Sequence, residues 1–327
     1  MVYAKKKHDN LRTSFFDLSL FSCFRTELMG FATILILLCH IQSSGIEVSA
    51  VVGKLLSYGN LGVEIFFFLS GVGMYYSLSK NNNFFSWYKK RYLRILLPYC
   101  IISIPWFVLI DILGKNSFEA FFLDLSTLSY WLYHKGAWFI AALIPLYAIT
   151  PLLVKYLNSR CGYILFIVLM IFTISAELID FEGIWGNIFF VIKRLPCFFC
   201  GIYIGQFVKT KYKISYFKGL IIILVFISVI RLLGGWWWPA VFIIMPFMCK
   251  VFENISFATK FFRFMGNISL ESYVMNICLL DLYKKNIFIY SESEFIDYFI
   301  IVVVGTIAAY LVNKVAHYLS QQIKSIE

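Results

Sequence analysis

Arg25-Thr-Glu-Leu-Met-Gly-Phe-Ala-Thr-Ile-Leu-Ile-Leu-Leu-Cys-His40 is an apolar run with an imidazole near its far end, and a second run, Gly62-Val-Glu-Ile-Phe-Phe-Phe-Leu-Ser-Gly71, opens on Glu64. Ionisable side chains inside apolar segments of this kind are expensive to keep in lipid, so the pair reads as a reaction or transport site rather than a support of the fold. The surrounding composition sets the class. Of 327 residues 61% are hydrophobic, 20% aromatic and only 14% charged, and the mean hydropathy is +0.79. These values exclude a water-soluble domain and identify a polytopic membrane protein.

Apolar runs long enough to cross a hydrocarbon core as helices recur along the chain, at about 28–43, 61–79, 95–113, 137–154, 162–179, 187–207, 217–233, 236–252, 267–283 and 295–316. The expected fold is therefore an all-α bundle of about ten transmembrane helices. Ser117–Tyr133 carries Glu119 and Asp124 and fits an interfacial helix better. No cleavable signal peptide is expected, because the start of the chain is polar and basic. The expected organisation is a cytoplasmic segment over 1–27, one membrane domain over 28–316 and a cytoplasmic tail over 317–327, with no internal repeat. Lys and Arg are retained on the cytoplasmic side. With ten spans and the N-terminus inside, the outer segments hold Lys54, Lys115, Lys135, Lys193, Arg194, Arg231, Lys284 and Lys285, and the inner ones the other 21 of the 29. Both termini are then cytoplasmic. The net charge of +11 follows from this bias and from attraction to anionic lipid, and calls for no nucleic acid. Eight cysteines are scattered except for Cys197-Phe-Phe-Cys200, which lies in an aromatic segment without a second Cys or His pair and reads as packing, so no metal is expected.

Depth along the helices groups the polar residues. His40 and Glu64 each fall about three residues from the outer ends of spans one and two, ~5 Å below the boundary at the helical rise. Arg194 and Trp138 fall in or just above that layer. A base, its orienter, a charge stabiliser and a stacking surface are a set suited to acid–base chemistry on a substrate. On the opposite side stands Trp87-Tyr-Lys-Lys-Arg-Tyr-Leu-Arg-Ile-Leu-Leu-Pro-Tyr99. Arg91 and Arg94 are three apart and share a helix face, which suits a phosphate clamp, and Arg25 and Glu27 sit at the same level below His40. The arrangement points to a phosphate-rich donor held inside and chemistry performed outside.

At these residues the chain resembles the membrane acyltransferase-3 family of bacterial cell-surface O-acyltransferases. Five patches carry the resemblance in order: Glu27-Leu-Met-Gly-Phe-Ala through His40; Gly62 through Gly71; Lys90 through Pro98; Trp138-Phe-Ile with Tyr147 and Pro151; and Arg194 through Gly201 followed by Gly266-Asn-Ile-Ser-Leu-Glu-Ser-Tyr273. The resemblance implies acetyl-CoA, or another acyl-CoA, as cytoplasmic donor and a sugar hydroxyl of a cell-surface or exported polysaccharide as acceptor, in the bacterial cytoplasmic membrane. His40 aligns with the family's catalytic histidine, and Arg91 and Arg94 with its basic loop. Two positions depart: Met29 stands where the family usually has Arg, so either Arg25 one turn earlier substitutes or the donor is held differently, and Asn276 stands where the family often has His. The expected roles are His40 as general base or transient acyl carrier, held by Glu64; Arg25, Arg91 and Arg94 on the donor; and Trp138, Arg194 and Asn276 on the acceptor. Two other classes share the composition. One is a transporter or flippase for a glycan or small anion using the His/Glu pair as a proton relay, and the other is an assembly subunit with a degenerate site.

Overall fold

The computed structural model describes residues 15–44, 46–80, 83–114, 116–157, 159–232, 235, 237–284 and 293–325. Lys5, Lys6, Lys7, Arg12, Lys115 and Lys285, all counted in the charge split, lie outside them, as do residues 1–14 of the expected N-terminal segment. The helices that build the bundle are α1 (Arg25–Ser43), α2 (Leu61–Leu78), α3 (Phe84–Phe107), α4 (Trp138–Leu157), α5 (Gly162–Ser175), α6 (Gly183–Ile192), α7 (Leu195–Lys209), α8 (Tyr216–Leu232), α9 (Val241–Asn254), α10 (Ser256–Asn267), α11 (Ser269–Lys284) and α12 (Glu294–Ser325). A feature absent from the sequence reading is a short antiparallel ribbon, in which β1 (Phe15–Asp17) pairs with β2 (Lys213–Ser215) and so ties the start of the described chain to the α7–α8 connection.

Helix α2 is the centre of the molecule. Leu61, Ile65, Phe67, Phe68, Leu69, Val72 and Met74 are buried on all sides of it, the pattern of a helix enclosed by others. It packs on α1 and α7, and α1 packs in turn on α10. Apolar side chains gain nothing by leaving lipid for one another, so close helix contact in a membrane relies on small residues that let backbones meet. Two crossings show this. A Cβ on Gly71 of α2 would lie 2.3 Å from the Phe198 carbonyl oxygen, and one on Gly201 of α7 would lie 2.1 Å from that of Phe68. On the other side of α1, a Cβ on Gly30 would meet the Phe262 oxygen at 1.8 Å, and one on Gly266 the Thr26 oxygen at 1.8 Å.

The all-α expectation holds, and the molecule is a membrane protein. Among the described residues, five stretches are long and apolar enough to cross: Ala50–Leu78, Phe84–Leu113, Trp138–Leu157, Gly183–Lys209 and Glu294–Ile323. Four of the other expected spans form shorter helices, the 14 residues of α5, the 17 of α8, the 14 of α9 and the 16 of α11. The sixth expected span is broken in two. Lys193 and Arg194 form a turn between α6 and α7, with Pro196 in the first turn of α7, where its missing N–H costs no hydrogen bond. The expected interfacial helix is likewise two short ones, Phe118–Leu125 and Leu128–Tyr133, parted at Thr127, whose φ of 64° ends the first. Helix α12 runs on to Ser325, through residues that the sequence placed in a tail.

Candidate functional site

A cavity of about 390 Å³ runs between α1, α2, α3, α4, α11 and α12. Its basic end is built by Arg25 of α1 and by Lys90, Arg91 and Arg94 of α3. Two of these guanidiniums are anchored on successive turns of α2. Arg25 Nε donates to the Leu69 carbonyl oxygen at 3.3 Å, and Arg91 Nη2 donates to that of Gly73, also at 3.3 Å. The Arg25 guanidinium lies close over Gly73, where a Cβ would stand 3.1 Å from its Nη2. Arg91 also lies over the Trp87 ring at 6.0 Å. Tyr147 and Ser70 line the same wall.

No carboxylate forms an ion pair with Arg25, Arg91 or Arg94 among the described residues. The acids nearby are committed elsewhere. Glu27 accepts from Arg263 Nε at 2.7 Å, and Glu271, which lines the cavity, accepts from Asn313 Nδ2 at 2.9 Å. Like charges gathered along one cavity wall repel one another, a cost that a bound polyanion relieves by bidentate contacts. Met29 lines the cavity one turn above Arg25, so the cation absent at Met29 is present one turn lower on the same face.

From the basic end the cavity follows one face of α1 from Arg25 through Met29 to Ile36, ~16 Å at the helical rise. Its far end is apolar and aromatic, with Val63, Phe66, Trp138, Phe139 and Tyr273. Trp138 opens α4 and is held edge-on by Phe190, ring centroids 5.0 Å apart. The Phe139 N–H, in the first turn of α4 and without a partner inside the helix, donates to Tyr273 Oη at 3.3 Å.

His40 stands one turn beyond Ile36 and does not line this cavity. It lines a second pocket, of about 200 Å³, with Ile277, Leu280, Asp281 and Lys284 of α11. The expected pairing with Glu64 is corrected here. Glu64 is buried, and its Oε1 accepts from Arg194 Nη1 at 2.7 Å; Oε2 is buried too, and Cys197 lies beside the carboxylate. The break before α7 explains the substitution, because ending α6 at Ile192 turns Arg194 toward the first turn of α2, where it also covers the Phe190 ring at 5.4 Å. The acid that shares a pocket with His40 is Asp281, from a helix 217 residues away in sequence from Glu64.

The three residues expected at the acceptor are separated. Trp138 lines the large cavity, Arg194 lines neither cavity, and Asn276 is 1% exposed, donating from Nδ2 to the Ser272 carbonyl oxygen at 2.8 Å and facing Gly305 of α12. Arg25, Arg91 and Arg94 are together, as expected. Asp281 and Lys284 were not among the expected site residues, although Ile277, Leu280, Asp281 and Lys284 follow the i, i+3, i+4, i+7 spacing of a single helix face. No group of three or more His, Cys, Asp or Glu that could hold a metal ion occurs among the described residues, and Cys197 and Cys200 are free thiols.

Compared with known proteins, the chain matches the family described as an acyltransferase domain, Acyl_transf_3, over residues 28–314. Neither the curated proteins nor the solved structures contain a match.

Proposed function

The chain belongs to the acyltransferase-3 family and is an acyltransferase of a membrane; from that premise we propose that it moves an acetyl group from cytoplasmic acetyl-CoA to a sugar hydroxyl of a cell-surface or exported polysaccharide at the outer face of the bacterial cytoplasmic membrane. The carrying observation is the cavity itself: three arginines without acidic partners at one end, an apolar passage along α1, and an end one helical turn from His40. The arginines would take the phosphates of the donor, and the passage would take its narrow uncharged arm. The excess of Lys and Arg on one side of the chain supports reading the basic end of the cavity as the cytoplasmic one.

In the reaction so read, the acceptor oxygen attacks the thioester carbonyl carbon while His40 takes the hydroxyl proton. The carbon–sulfur bond breaks, and the proton passes to the departing thiolate. Support for reading the chain as an enzyme rather than a proton relay comes from Glu64, because an acid committed to Arg194 is not the partner that a His/Glu relay needs. The test uses purified protein in proteoliposomes, acetyl-CoA, and membranes from a strain lacking the gene as the source of unacylated acceptor. His40→Ala is expected to lower acceptor-dependent thiol release by about 10²- to 10⁴-fold, the range of a general base. Release at the wild-type rate would sink the assignment.

A further inference from the structure

Helices α1 and α11 run side by side in the same direction. The starts of both, Arg25 and Glu271, line the basic cavity, and the ends of both, His40 and Lys284, line the smaller pocket. On each helix one turn separates the two spaces: Ile36 to His40 on α1 and Tyr273 to Ile277 on α11. The two spaces thus lie one helical turn apart along the same pair of helices, and the imidazole lines the smaller one on the side toward the larger. The small pocket has an apolar floor, Ile277 and Leu280, and two charged side chains, Asp281 and Lys284, opposite His40. Helix α12 backs this end of α1, where Tyr298 Oη donates to the Leu37 carbonyl oxygen.

We propose that this pocket is the acceptor subsite, in which Asp281 receives hydroxyl hydrogen bonds from a sugar and Lys284 donates to its oxygens, presenting one further hydroxyl to His40. The inference rests on the reading of His40 as the catalytic base and adds where, and by which side chains, the acceptor is held. The chemistry favours a polyhydroxylated ring. An ionised carboxylate offers two oxygens that accept only, an ammonium offers three donors, and the aliphatic floor suits the C–H face of a pyranose. It also removes Trp138 and Arg194 from acceptor recognition, since the first belongs to the donor passage and the second is held by Glu64.

The experiment titrates two substrates separately, acetyl-CoA and membranes from the gene-deleted strain as acceptor, with equilibrium binding of labelled acetyl-CoA as the check that each variant is folded. Asp281→Asn preserves shape and removes the charge. It is expected to raise the apparent KM for acceptor about 10- to 100-fold, the worth of a hydrogen bond to a charged group, and to leave acetyl-CoA KM and binding within about twofold. Asp281→Glu should recover part of the loss, and Lys284→Gln should raise acceptor KM about 2- to 10-fold. An acceptor KM unchanged in both Asp281→Asn and Lys284→Gln, with His40→Ala inactive, overturns the subsite and leaves the catalytic assignment standing. His40→Ala turning over at the wild-type rate instead overturns the reading on which the subsite rests. Should Asp281→Asn fail the binding check, Lys284→Gln and Asp281→Glu decide alone.

Discussion

Two charged clusters lie at different ends of the bundle and are built in opposite ways. Glu64 and Arg194 form a close pair at 2.7 Å with side chains 1% and 15% exposed, and they line neither cavity. Arg25, Arg91 and Arg94 line the large cavity, Arg25 and Arg91 donate to α2 carbonyls, and none of the three forms an ion pair among the described residues. The comparison teaches that burial of charge is not by itself the mark of a site. A pair that neutralises itself holds helices in register, whereas like charges left unpaired along a cavity wall remain open to a ligand of opposite charge.

The largest expected effect breaks the first cluster. Glu64→Gln leaves Arg194 as an uncompensated buried charge and should cost about 3–5 kcal/mol of stability, with much of it recovered in the double variant Glu64→Gln/Arg194→Gln. Unfolding midpoints of the detergent-solubilised protein measure both. A single variant that keeps its stability yet releases no thiol would move Glu64 from support to chemistry. Next in size are Arg91→Ala and Arg94→Ala, each expected to weaken acetyl-CoA by about 1.5–3 kcal/mol, or 10- to 100-fold in its KM, with acceptor KM and stability nearly unchanged. Equal rises for both substrates would show that these arginines set topology rather than hold the donor. Smallest is Asn276→Ala, expected to cost about 1 kcal/mol of stability through the lost contact to Ser272 and to leave both KM values alone. A selective rise in acceptor KM there would return Asn276 to the site.

Much of this was readable in the linear order of residues. The Arg25, Arg91 and Arg94 cluster was legible because topology charge and helix spacing both act locally: a three-residue offset on α3 fixes a shared face, and depth places the foot of α1 at the same level. The Glu64–Arg194 pair was half legible, since both were assigned to one layer. The break that aims Arg194 depends on Pro196 and on a turn at Lys193, and depth counting along an unbroken span does not see it. Asn276 looked like a substrate contact by position, yet a buried amide one turn after Ser272 satisfies its hydrogen bonds within its own helix.

Composition and period decided that this chain is a helical bundle in lipid, because transfer of apolar side chains and satisfaction of every backbone hydrogen bond inside a helix are properties of each segment alone. Which acid stands across from the imidazole was decided only by packing. Helix α1 chooses its neighbours through glycine crossings as tight as Gly30 on Gly266, and those crossings set the rotation that turns His40 toward Asp281 of α11 and leaves Glu64 to Arg194. Rotation about a helix axis is a property of the contact between helices, and no single helix encodes it.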